Sequence, residues 1–264
     1  MAISKRVLGG DGELYLDGTA ATRPGVLVIP LLGRLAFLPD LAVERWIARF
    51  FARRGFAAAL VARPFFEWTS RAGLGQVDRY LADTVERAKR VVDRLSAEDG
   101  VDVQRIGTLG ISFGAVVSAL LTQSLHFRAH VIAMGGANLA KVLASSRDPL
   151  VKSYFRGLLR VTGLSQGDLV SRLGEVFQHD PLRLKPAIPP EQILTVRASF
   201  DRVVRPCYGK ALWAVLGRPR EIVLPLGHYT ALAALPMLLR IALRFFRLSL
   251  GSSEATARTG DPHL

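Results

Sequence analysis

Cysteine is almost missing from this sequence, whose 264 residues contain only one, Cys207. A single cysteine cannot form a disulfide within the chain, and it cannot supply a cysteine-based metal cluster. The fold must therefore be held together by its apolar core, in which we expect Cys207 to be a small packed residue. This use of cysteine is typical of a reducing compartment.

Apolar runs that could anchor the chain in a membrane are lacking as well. Residues 1–18 contain no apolar run after their basic residues, so no signal peptide or anchor is predicted. The longest apolar stretch, 231–250, is interrupted by Pro236 and by arginines that would be costly in a bilayer core. We therefore expect a cytoplasmic protein.

Acidic residues are scarce, since 22 of them oppose 35 lysines and arginines and leave a formal net charge of +13. Such a field attracts phosphate polyanions. The basic residues are nevertheless scattered over predicted helices, without a dense run or an aromatic-interleaved patch. We therefore expect solvated helix faces and no nucleic-acid partner. The scattered arginines are Arg45, Arg49, Arg53, Arg54, Arg87, Arg90 and Arg94.

A basic and apolar segment near the end of the chain leaves two interpretations open. Arg240, Arg244 and Arg247 are interspersed with Phe245 and Phe246, a composition that suits an interfacial helix on a membrane surface. The same segment also suits a closing helix that packs on a sheet, which is the interpretation we favour. Peripheral membrane contact is therefore not the expected outcome.

Strand and helix signals alternate along most of the chain. One predicted helix begins near Asp40 and stops at Gly55, and another extends over 77–95 with a single apolar stripe. A short hairpin over 5–16 leads the chain. The predicted strands are short apolar segments bounded by Gly, Pro or charge, at 25–30, 56–62, 105–111, 129–134, 193–198 and 221–226.

This alternation predicts an α/β fold with a mostly parallel, doubly wound sheet and helices on both faces. The length suits a single domain over 1–250. No strand signal occurs over 139–185, so we expect a small helical cap inserted there, whose apolar residues either pack on the core or line a pocket. The polar segment 251–264 is expected to be a disordered tail.

One motif with chemical meaning lies at residues 110–114, Gly-Ile-Ser-Phe-Gly. It matches the G-x-S-x-G pattern of a nucleophile elbow, a tight turn from strand to helix that exposes a reactive serine, here Ser112. Small residues are needed on both sides because the turn holds the serine in a strained conformation. An ordinary glycine-bounded turn between a strand and a helix is the alternative.

An elbow serine needs a histidine to take its proton and a carboxylate to orient that histidine. The chain has five histidines, of which His228 directly follows the last predicted strand. Active sites of open α/β sheets gather at the carboxyl ends of the strands, so His228 is the candidate base. The other histidines are His126 and His130 at the start of a strand, His179 in the cap and His263 in the tail.

The candidate carboxylate is Asp201, which also follows the carboxyl end of a predicted strand, 193–198. Asp180 is the rival, but it precedes that strand and, with Pro181 after it, is typical of a helix cap or turn. Asn138 follows an earlier strand but lacks the negative charge that would stabilise an imidazolium.

The order Ser112, Asp201, His228 resembles that of the α/β-hydrolase superfamily, and the resemblance covers about residues 25–246. It implies that Ser112 is the nucleophile, His228 the general base and then acid, and Asp201 the carboxylate that orients it. A finer resemblance, to bacterial esterases and dienelactone-hydrolase-like proteins, is carried by the segments 180–182, 200–204 and 227–229.

The same resemblance implies an oxyanion hole made of two backbone N–H groups. One follows the nucleophile and belongs to Phe113. The other comes from the loop after the strand at 25–30, where relatives often have His-Gly and this sequence has Pro30 and Leu31. Leu32 is the candidate for the second donor, with Leu31 as the neighbouring alternative.

These features together predict a serine hydrolase that cleaves a small-molecule ester, or less favourably an amide or thioester, through an acyl-serine intermediate. No metal or organic cofactor is implied. Phe65, Phe66, Trp68 and the apolar cap suit an apolar acyl group, although such residues also suit a core. The alternatives are a hydrolase-like fold kept as a non-catalytic binding module and a module that docks on a membrane surface.

Overall fold

Eight strands run through the part of the chain that the computed structural model describes, which is residues 3–18, 22–31, 41–66, 69 and 73–251. The strands are β1 (Ile3–Leu8), β2 (Gly12–Asp17), β3 (Arg23–Val28), β4 (Ala57–Val61), β5 (Val101–Ile111), β6 (Ala129–Ala133), β7 (Ile193–Ala198) and β8 (Arg220–Leu224). Each strand predicted from the sequence overlaps one of these. The hairpin predicted over 5–16 corresponds to β1 and β2.

Nine α-helices lie in the same described residues. They are α1 (Ala42–Ala52), α2 (Gln76–Leu95), α3 (Phe113–Leu120), α4 (Leu139–Ser145), α5 (Pro149–Thr162), α6 (Gln166–Val176), α7 (Pro206–Val215), α8 (His228–Ala233) and α9 (Leu235–Leu250). The segment predicted as a cap contains α4, α5 and α6. Asp40, predicted to begin the first helix, lies outside the described residues, as does the predicted tail apart from Gly251.

The strands form one sheet in the order β1-β2-β4-β3-β5-β6-β7-β8. The leading strand β1 pairs antiparallel with β2, and β2 pairs antiparallel with β4. All other pairs are parallel. The mostly parallel, doubly wound sheet predicted from the sequence is confirmed. Because β3 to β8 run in the same direction, their carboxyl ends meet at one edge of the sheet.

The core lies on both faces of this sheet, because successive side chains of a strand point to opposite faces. On one face Val26 of β3 belongs to the same buried cluster as Phe51 of α1 and Phe246 of α9. On the other face Leu27 of β3 belongs to a cluster with Leu81 of α2. Burying large side chains of this kind contributes about 1.5–3 kcal/mol each to folding.

The closing helix α9 packs on the sheet, as favoured from its sequence. Phe245 and Phe246 are buried against it, whereas Arg240, Arg244 and Arg247 are exposed. The apolar side of α9 is therefore occupied by the protein's own core. Among the described residues, no helix combines the length and the apolar character needed to cross a membrane.

Some of the scattered arginines have partners in the leading hairpin rather than only solvent. Arg90 and Arg94 of α2 both pair with Asp11, with shortest N–O distances of 3.1 Å. Arg45 of α1 binds Glu13 with two hydrogen bonds of 3.0 Å. These pairs join the antiparallel end of the sheet to the helices on its two faces.

Cys207 is exposed, so the expectation that it is a core residue was wrong. It lies in the first turn of α7, a helix that turns Gly209 and Leu212 inward. A residue two positions before Gly209 is rotated by about 200° around the helix axis and therefore faces outward.

A buried histidine lies within the sheet. His130 of β6 stands opposite Thr108 of β5, and its Nδ1 is 2.8 Å from the Thr108 hydroxyl oxygen. The Thr108 hydroxyl in turn lies 2.5 Å from that of Ser118 in α3. Burial lowers the pKa of His130 from 6.5 to about 3 because it disfavours the charged imidazolium.

We expect His130 to make the protein less stable in mild acid. Between pH 6.5 and about 3 the unfolded chain binds a proton at this residue that the folded chain does not. The free energy of unfolding should therefore fall by about 1.4 kcal/mol per pH unit on this account alone as the pH drops. In His130→Gln that contribution is missing, so stability measured by urea denaturation should decline less steeply from about pH 7 to about pH 5.

The control for this prediction is Phe127→Leu, because the Phe127 ring lies 5.8 Å from the His130 ring. It removes packing in the same place without removing a titratable group. We expect it to lower stability at both pH values while keeping the natural pH dependence. Equal pH dependence in the natural protein and His130→Gln would contradict the neutral, buried state of His130.

Candidate active site

Ser112 lies at the turn between β5 and α3. Its backbone has φ 56° and ψ −116°, a positive φ that non-glycine residues rarely adopt. Its N–H donates to the carbonyl oxygen of Ala133 in β6, at 2.8 Å, which helps to hold the turn. The serine therefore sits in a strained conformation at the carboxyl edge of the sheet, as expected of a nucleophile elbow.

The two glycines of the motif are required because backbone atoms of the turn lie too close to them to leave room for a side chain. A Cβ atom at Gly110 would lie 2.1 Å from the carbonyl oxygen of Gly114. A Cβ atom at Gly114 would lie 3.0 Å from the carbonyl oxygens of Ile29 and Pro30. Backbone atoms cannot easily move aside, so the alternation of glycine and non-glycine residues around Ser112 follows from the packing of β5, α3 and the end of β3.

His228 begins α8, four residues after β8 ends. Its side chain is buried, and its Nε2 lies 2.9 Å from the Ser112 hydroxyl oxygen. The two residues are 116 positions apart in sequence. They meet because both follow strands that run in the same direction in one sheet.

Asp201 follows β7, which is the neighbour of β8 in the sheet. Its side chain is also buried, and its Oδ2 lies 2.7 Å from Nδ1 of His228. Its other oxygen, Oδ1, accepts hydrogen bonds of 2.8 Å from the backbone N–H groups of Val203 and Val204. The carboxylate is thus fixed in position, with one oxygen aimed at the histidine.

The structure brings together the three residues that the sequence singled out, and their hydrogen bonds imply a defined proton arrangement. An ionised Asp201 can only accept, so Nδ1 of His228 carries the proton in this arrangement and donates it. Nε2 is then the acceptor for the hydroxyl of Ser112. This arrangement can remove a proton from the serine and stabilise the imidazolium that results.

The rejected carboxylate, Asp180, has a different place. It caps a 3₁₀ turn over Pro181–Arg183 by accepting from the N–H of Leu182, at 2.9 Å. It also accepts from the N–H groups of Asn138, at 2.9 Å, and Leu139, at 2.5 Å. Asp180 therefore ties the start of α4 to the end of the cap segment and acts as the turn residue that the sequence predicted.

The other candidates named from the sequence have partners or positions of their own. Asn138 caps α4 by accepting from the N–H of Lys141. His179 pairs with Asp78 of α2, with Nδ1 3.0 Å from Oδ2. His126 is exposed in the loop before β6, and His263 lies outside the described residues.

The backbone N–H of Phe113 was predicted as one oxyanion donor. Phe113 is the first residue of α3, and the N–H groups of a first helical turn have no acceptor within the helix. In a serine hydrolase such an N–H stabilises the negative charge that develops on the attacked carbonyl oxygen, and this role of Phe113 stays a prediction.

The second oxyanion donor was predicted at Leu32, with Leu31 as the alternative. Leu32 lies outside the described residues. The N–H of Leu31 donates to Oε1 of Glu44, at 3.1 Å. Leu31 could serve the oxyanion only if that hydrogen bond were broken.

Glu44 is a residue near the site that the sequence analysis missed. It is buried in α1, and its Oε1 lies 2.7 Å from a guanidinium nitrogen of Arg63, two residues after the end of β4. The pair therefore holds the start of the loop in which the second donor was predicted. One signal in the sequence could have revealed it. Glu44 lies on the side of α1 that carries the buried Ile47 and Ala48, and a carboxylate on a buried side of a helix needs a partner.

Four aromatic rings form a wall beside the elbow. The Tyr80 ring of α2 lies 5.3 Å from that of Phe113 and 5.2 Å from that of Phe66. Phe66 also lies 6.5 Å from Tyr154 of α5, which extends the wall into the cap. We call Phe66, Tyr80, Phe113 and Tyr154 the aromatic wall. Of the other aromatic residues proposed for this region, Phe65 is exposed and Trp68 lies outside the described residues.

No family model matches the sequence, and no curated protein matches it either. Solved structures do match. A hydrolase from Pseudomonas aeruginosa PA01 is 18% identical with a TM-score of 0.53, over 92% of this chain and 97% of that one. An acetyl xylan esterase from Paenibacillus sp. R4 is 18% identical with a TM-score of 0.61, over 90% and 79%.

A third match is an acylaminoacyl peptidase from Pyrococcus horikoshii, 16% identical with a TM-score of 0.64. The likeness covers 91% of this chain but only 39% of the peptidase, so the chain spans well under half of that protein. Each of the three likenesses extends over at least 90% of this chain and therefore includes the sheet and the helices described above. This chain has the α/β-hydrolase fold.

In the α/β-hydrolase fold, catalytic residues occur along the chain in the order serine, acid, histidine. Ser112, Asp201 and His228 have this order and also the spatial arrangement. At these identities the likeness is one of fold, so the activity is argued from the site itself.

The cap is joined to the two loops that carry the acid and the histidine. The N–H of Arg147 donates to the carbonyl oxygen of Arg202, at 2.9 Å, one residue after Asp201. The hydroxyl of Tyr229, one residue after His228, donates to the carboxylate of Asp148 at the start of α5. Burial is the largest cause that raises the pKa of Tyr229 above its usual value, and this hydrogen bond to Asp148 is the second cause. Arg147 and Asp148 are thus fastened to the loops that carry Asp201 and His228.

Proposed function

We propose that this protein is a serine hydrolase that cleaves esters through an acyl-enzyme intermediate. The observation that carries the proposal is the continuous chain of hydrogen bonds from Ser112 through His228 to Asp201, with distances of 2.9 Å and 2.7 Å. Ser112 lies at a strained turn directly before the first residue of helix α3.

The first half of the reaction forms the acyl-enzyme. Nε2 of His228 takes the hydroxyl proton while the Ser112 oxygen attacks the carbonyl carbon of the ester. The carbonyl oxygen becomes negative and accepts a hydrogen bond from the N–H of Phe113, and one such donor is worth about 3–4 kcal/mol in the transition state. Collapse of this intermediate breaks the ester bond, and His228 returns the proton to the departing alcohol.

The second half releases the acid product. Water enters where the alcohol left, His228 takes one of its protons, and the resulting hydroxide oxygen attacks the acyl carbon. Collapse breaks the bond to the Ser112 oxygen, which receives the proton back from His228. Throughout, Asp201 keeps the imidazole in one tautomer and stabilises its positive charge. The cycle needs no metal or organic cofactor.

An ester with an apolar acyl group is the substrate that the surroundings favour. The aromatic wall places aromatic rings next to Phe113, the proposed oxyanion donor. Esters carry a better leaving group than amides, so they demand less of a site whose second oxyanion donor comes from an unusual loop. Amides and thioesters are the competing substrates to be tested beside esters.

The experiment is a comparison of 4-nitrophenyl esters of increasing acyl length with matched 4-nitroanilides, combined with labelling by a fluorophosphonate. We expect turnover of the esters, slower or no turnover of the anilides, and a single covalent adduct located by mass spectrometry on Ser112. Absence of both turnover and labelling would favour the alternative of a hydrolase fold kept as a binding module. An adduct on another serine would refute the proposed nucleophile.

A further inference from the structure

The outer face of the cap helix α5 carries a basic groove with a volume of about 820 Å³. We call it the α5 groove. Its lining residues include Arg147, Lys152, Ser153, Arg156, Leu159 and Arg160. Four of these six side chains are cationic and none is acidic, so the charged side chains that line the groove are all positive.

The helix itself sets the shape of the groove. Lys152, Arg156 and Arg160 follow one another at intervals of four residues, so they lie on one side of α5 along about 12 Å of its axis. All three are exposed. Tyr154 and Leu158, on the inner side of the same helix, are buried. One helix therefore borders both the aromatic wall and the groove.

The cations of the groove lack partners of opposite charge. No carboxylate in the described residues lies within salt-bridge distance of Arg147, Lys152, Arg156 or Arg160. By contrast, Arg90 of α2 is spaced in the same way but pairs with Asp11. Like charges four residues apart on a helix repel one another and destabilise the helix. A bound anion would reduce this repulsion.

The one carboxylate at the near end of the groove is already engaged. Asp148 accepts the hydroxyl of Tyr229, and its Oδ1 accepts the N–H of Val151, at 2.9 Å, as the cap of α5. It is therefore directed toward the His228 loop and the helix end. The positive charge of the groove remains available to a ligand.

The near end of the groove adjoins the loops that carry the candidate acid and base. Arg147, at its near end, is hydrogen-bonded through its N–H to Arg202, beside Asp201. Asp148 is bonded to Tyr229, beside His228. These contacts place the near end of the groove beside the chain segments that follow Asp201 and His228.

We propose that the α5 groove binds a phosphate-bearing group of the substrate, on the side remote from the acyl chain. This inference rests on the proposed function and specifies its substrate class as a phosphorylated ester. Guanidinium and ammonium groups bind phosphate oxygens through charge-assisted hydrogen bonds, and several cations along a groove suit more than one phosphate oxygen. The acyl part would lie against the aromatic wall and the phosphorylated alcohol in the α5 groove.

The binding test uses inorganic tripolyphosphate and calorimetry on the Ser112→Ala protein, which removes the chemistry. The groove variant combines Lys152→Gln, Arg156→Gln and Arg160→Gln. The matched control combines Arg240→Gln, Arg244→Gln and Arg247→Gln, which removes the same charge from exposed positions on α9. We expect the groove variant to weaken binding at least about tenfold and the control to leave it nearly unchanged. No binding, or equal loss in both variants, would overturn the proposal.

The substrate test compares 1-butyrylglycerol with 1-butyrylglycerol 3-phosphate, which share the same ester bond. We expect the natural protein to prefer the phosphorylated ester in kcat/KM by about tenfold or more, and the groove variant to lose this preference. The α9 control should keep it. Equal kcat/KM for the two esters in the natural protein would overturn the proposal. If tripolyphosphate binds in the groove but neither ester is hydrolysed, the anion site stands and the serine hydrolase function fails.

A lipid surface is the other source of phosphate, and vesicles distinguish it. Vesicles of phosphatidylglycerol and of phosphatidylcholine are sedimented with the protein and with both charge variants. The proposal predicts that anionic vesicles sediment similar amounts of the groove variant and of the α9 control. Loss of vesicle binding in the groove variant alone, without tripolyphosphate binding in the natural protein, would assign the groove to a membrane and overturn the proposal.

Discussion

Replacing Ser112 with alanine is expected to lower kcat for ester hydrolysis by roughly 10⁶-fold, the scale known for nucleophile loss in serine hydrolases. The reason is that, among the residues that the structure describes, the Ser112 hydroxyl is the one hydrogen-bonded to Nε2 of His228. Nε2 of His228 has the Ser112 hydroxyl at 2.9 Å, and alanine leaves only water to be activated there. A residual rate above that in water should persist, because the oxyanion donor Phe113 remains.

The measurement is initial-rate hydrolysis of a 4-nitrophenyl ester together with fluorophosphonate labelling. The control is Ser171→Ala, since Ser171 is an exposed serine of the cap helix α6 and lies outside the triad. We expect it to retain both rate and labelling. Thermal unfolding of both variants distinguishes a loss of activity from a loss of folding. We expect little change in stability for Ser112→Ala, because alanine and serine bear similar backbone strain at φ 56°. Labelling that persists in Ser112→Ala would show that the nucleophile lies elsewhere.

Replacing His228 with alanine is expected to lower kcat by a similar factor, roughly 10⁶-fold. The serine hydroxyl would then lack a base, and a neutral alcohol is a poor nucleophile. The alcohol product would also lack its proton donor. Fluorophosphonate labelling should slow in parallel, because the attack on phosphorus needs the same base.

Folding must be separated from chemistry in this variant, since His228 is buried and its removal leaves Asp201 without its 2.7 Å partner. The carboxylate keeps its two backbone donors, Val203 and Val204, so we expect a folded protein with a lower melting temperature. Added imidazole should restore part of the rate if a base is what is missing. His126→Ala, at an exposed histidine far from Ser112, is the matched control. Full activity in His228→Ala would require a different base.

Much of the fold was predictable because its signals are local. The strands of a parallel sheet are buried on both faces, so they occur as short apolar runs between glycines, prolines and charges. The α2 stripe and the glycines at 110 and 114 are also local patterns. The candidate triad then followed from one topological fact, that the carboxyl ends of parallel strands share an edge.

Other features had no such signal. Cys207 was expected in the core, yet the direction in which α7 packs leaves it exposed. The carboxylate of Glu44 and the guanidinium of Arg63 are 19 residues apart and are paired only because α1 crosses the end of β4. The arginines of α2 and those of α5 look alike in sequence, but only the former meet Asp11 of the hairpin.

The sequence by itself determined the alternation of strands and helices, the strained position of Ser112 and the three candidates in chain order, because each depends on residues close together along the chain. Tertiary structure decided which charges are paired and which aromatic rings lie beside the elbow. It also decided that the N–H of Leu31 already donates to Glu44. It decided as well that the cations of α5 line one groove and have no ion-pair partner among the residues that the structure describes. The physical reason is that electrostatic and aromatic contacts act over a few ångströms, and only the packed fold brings distant residues that close.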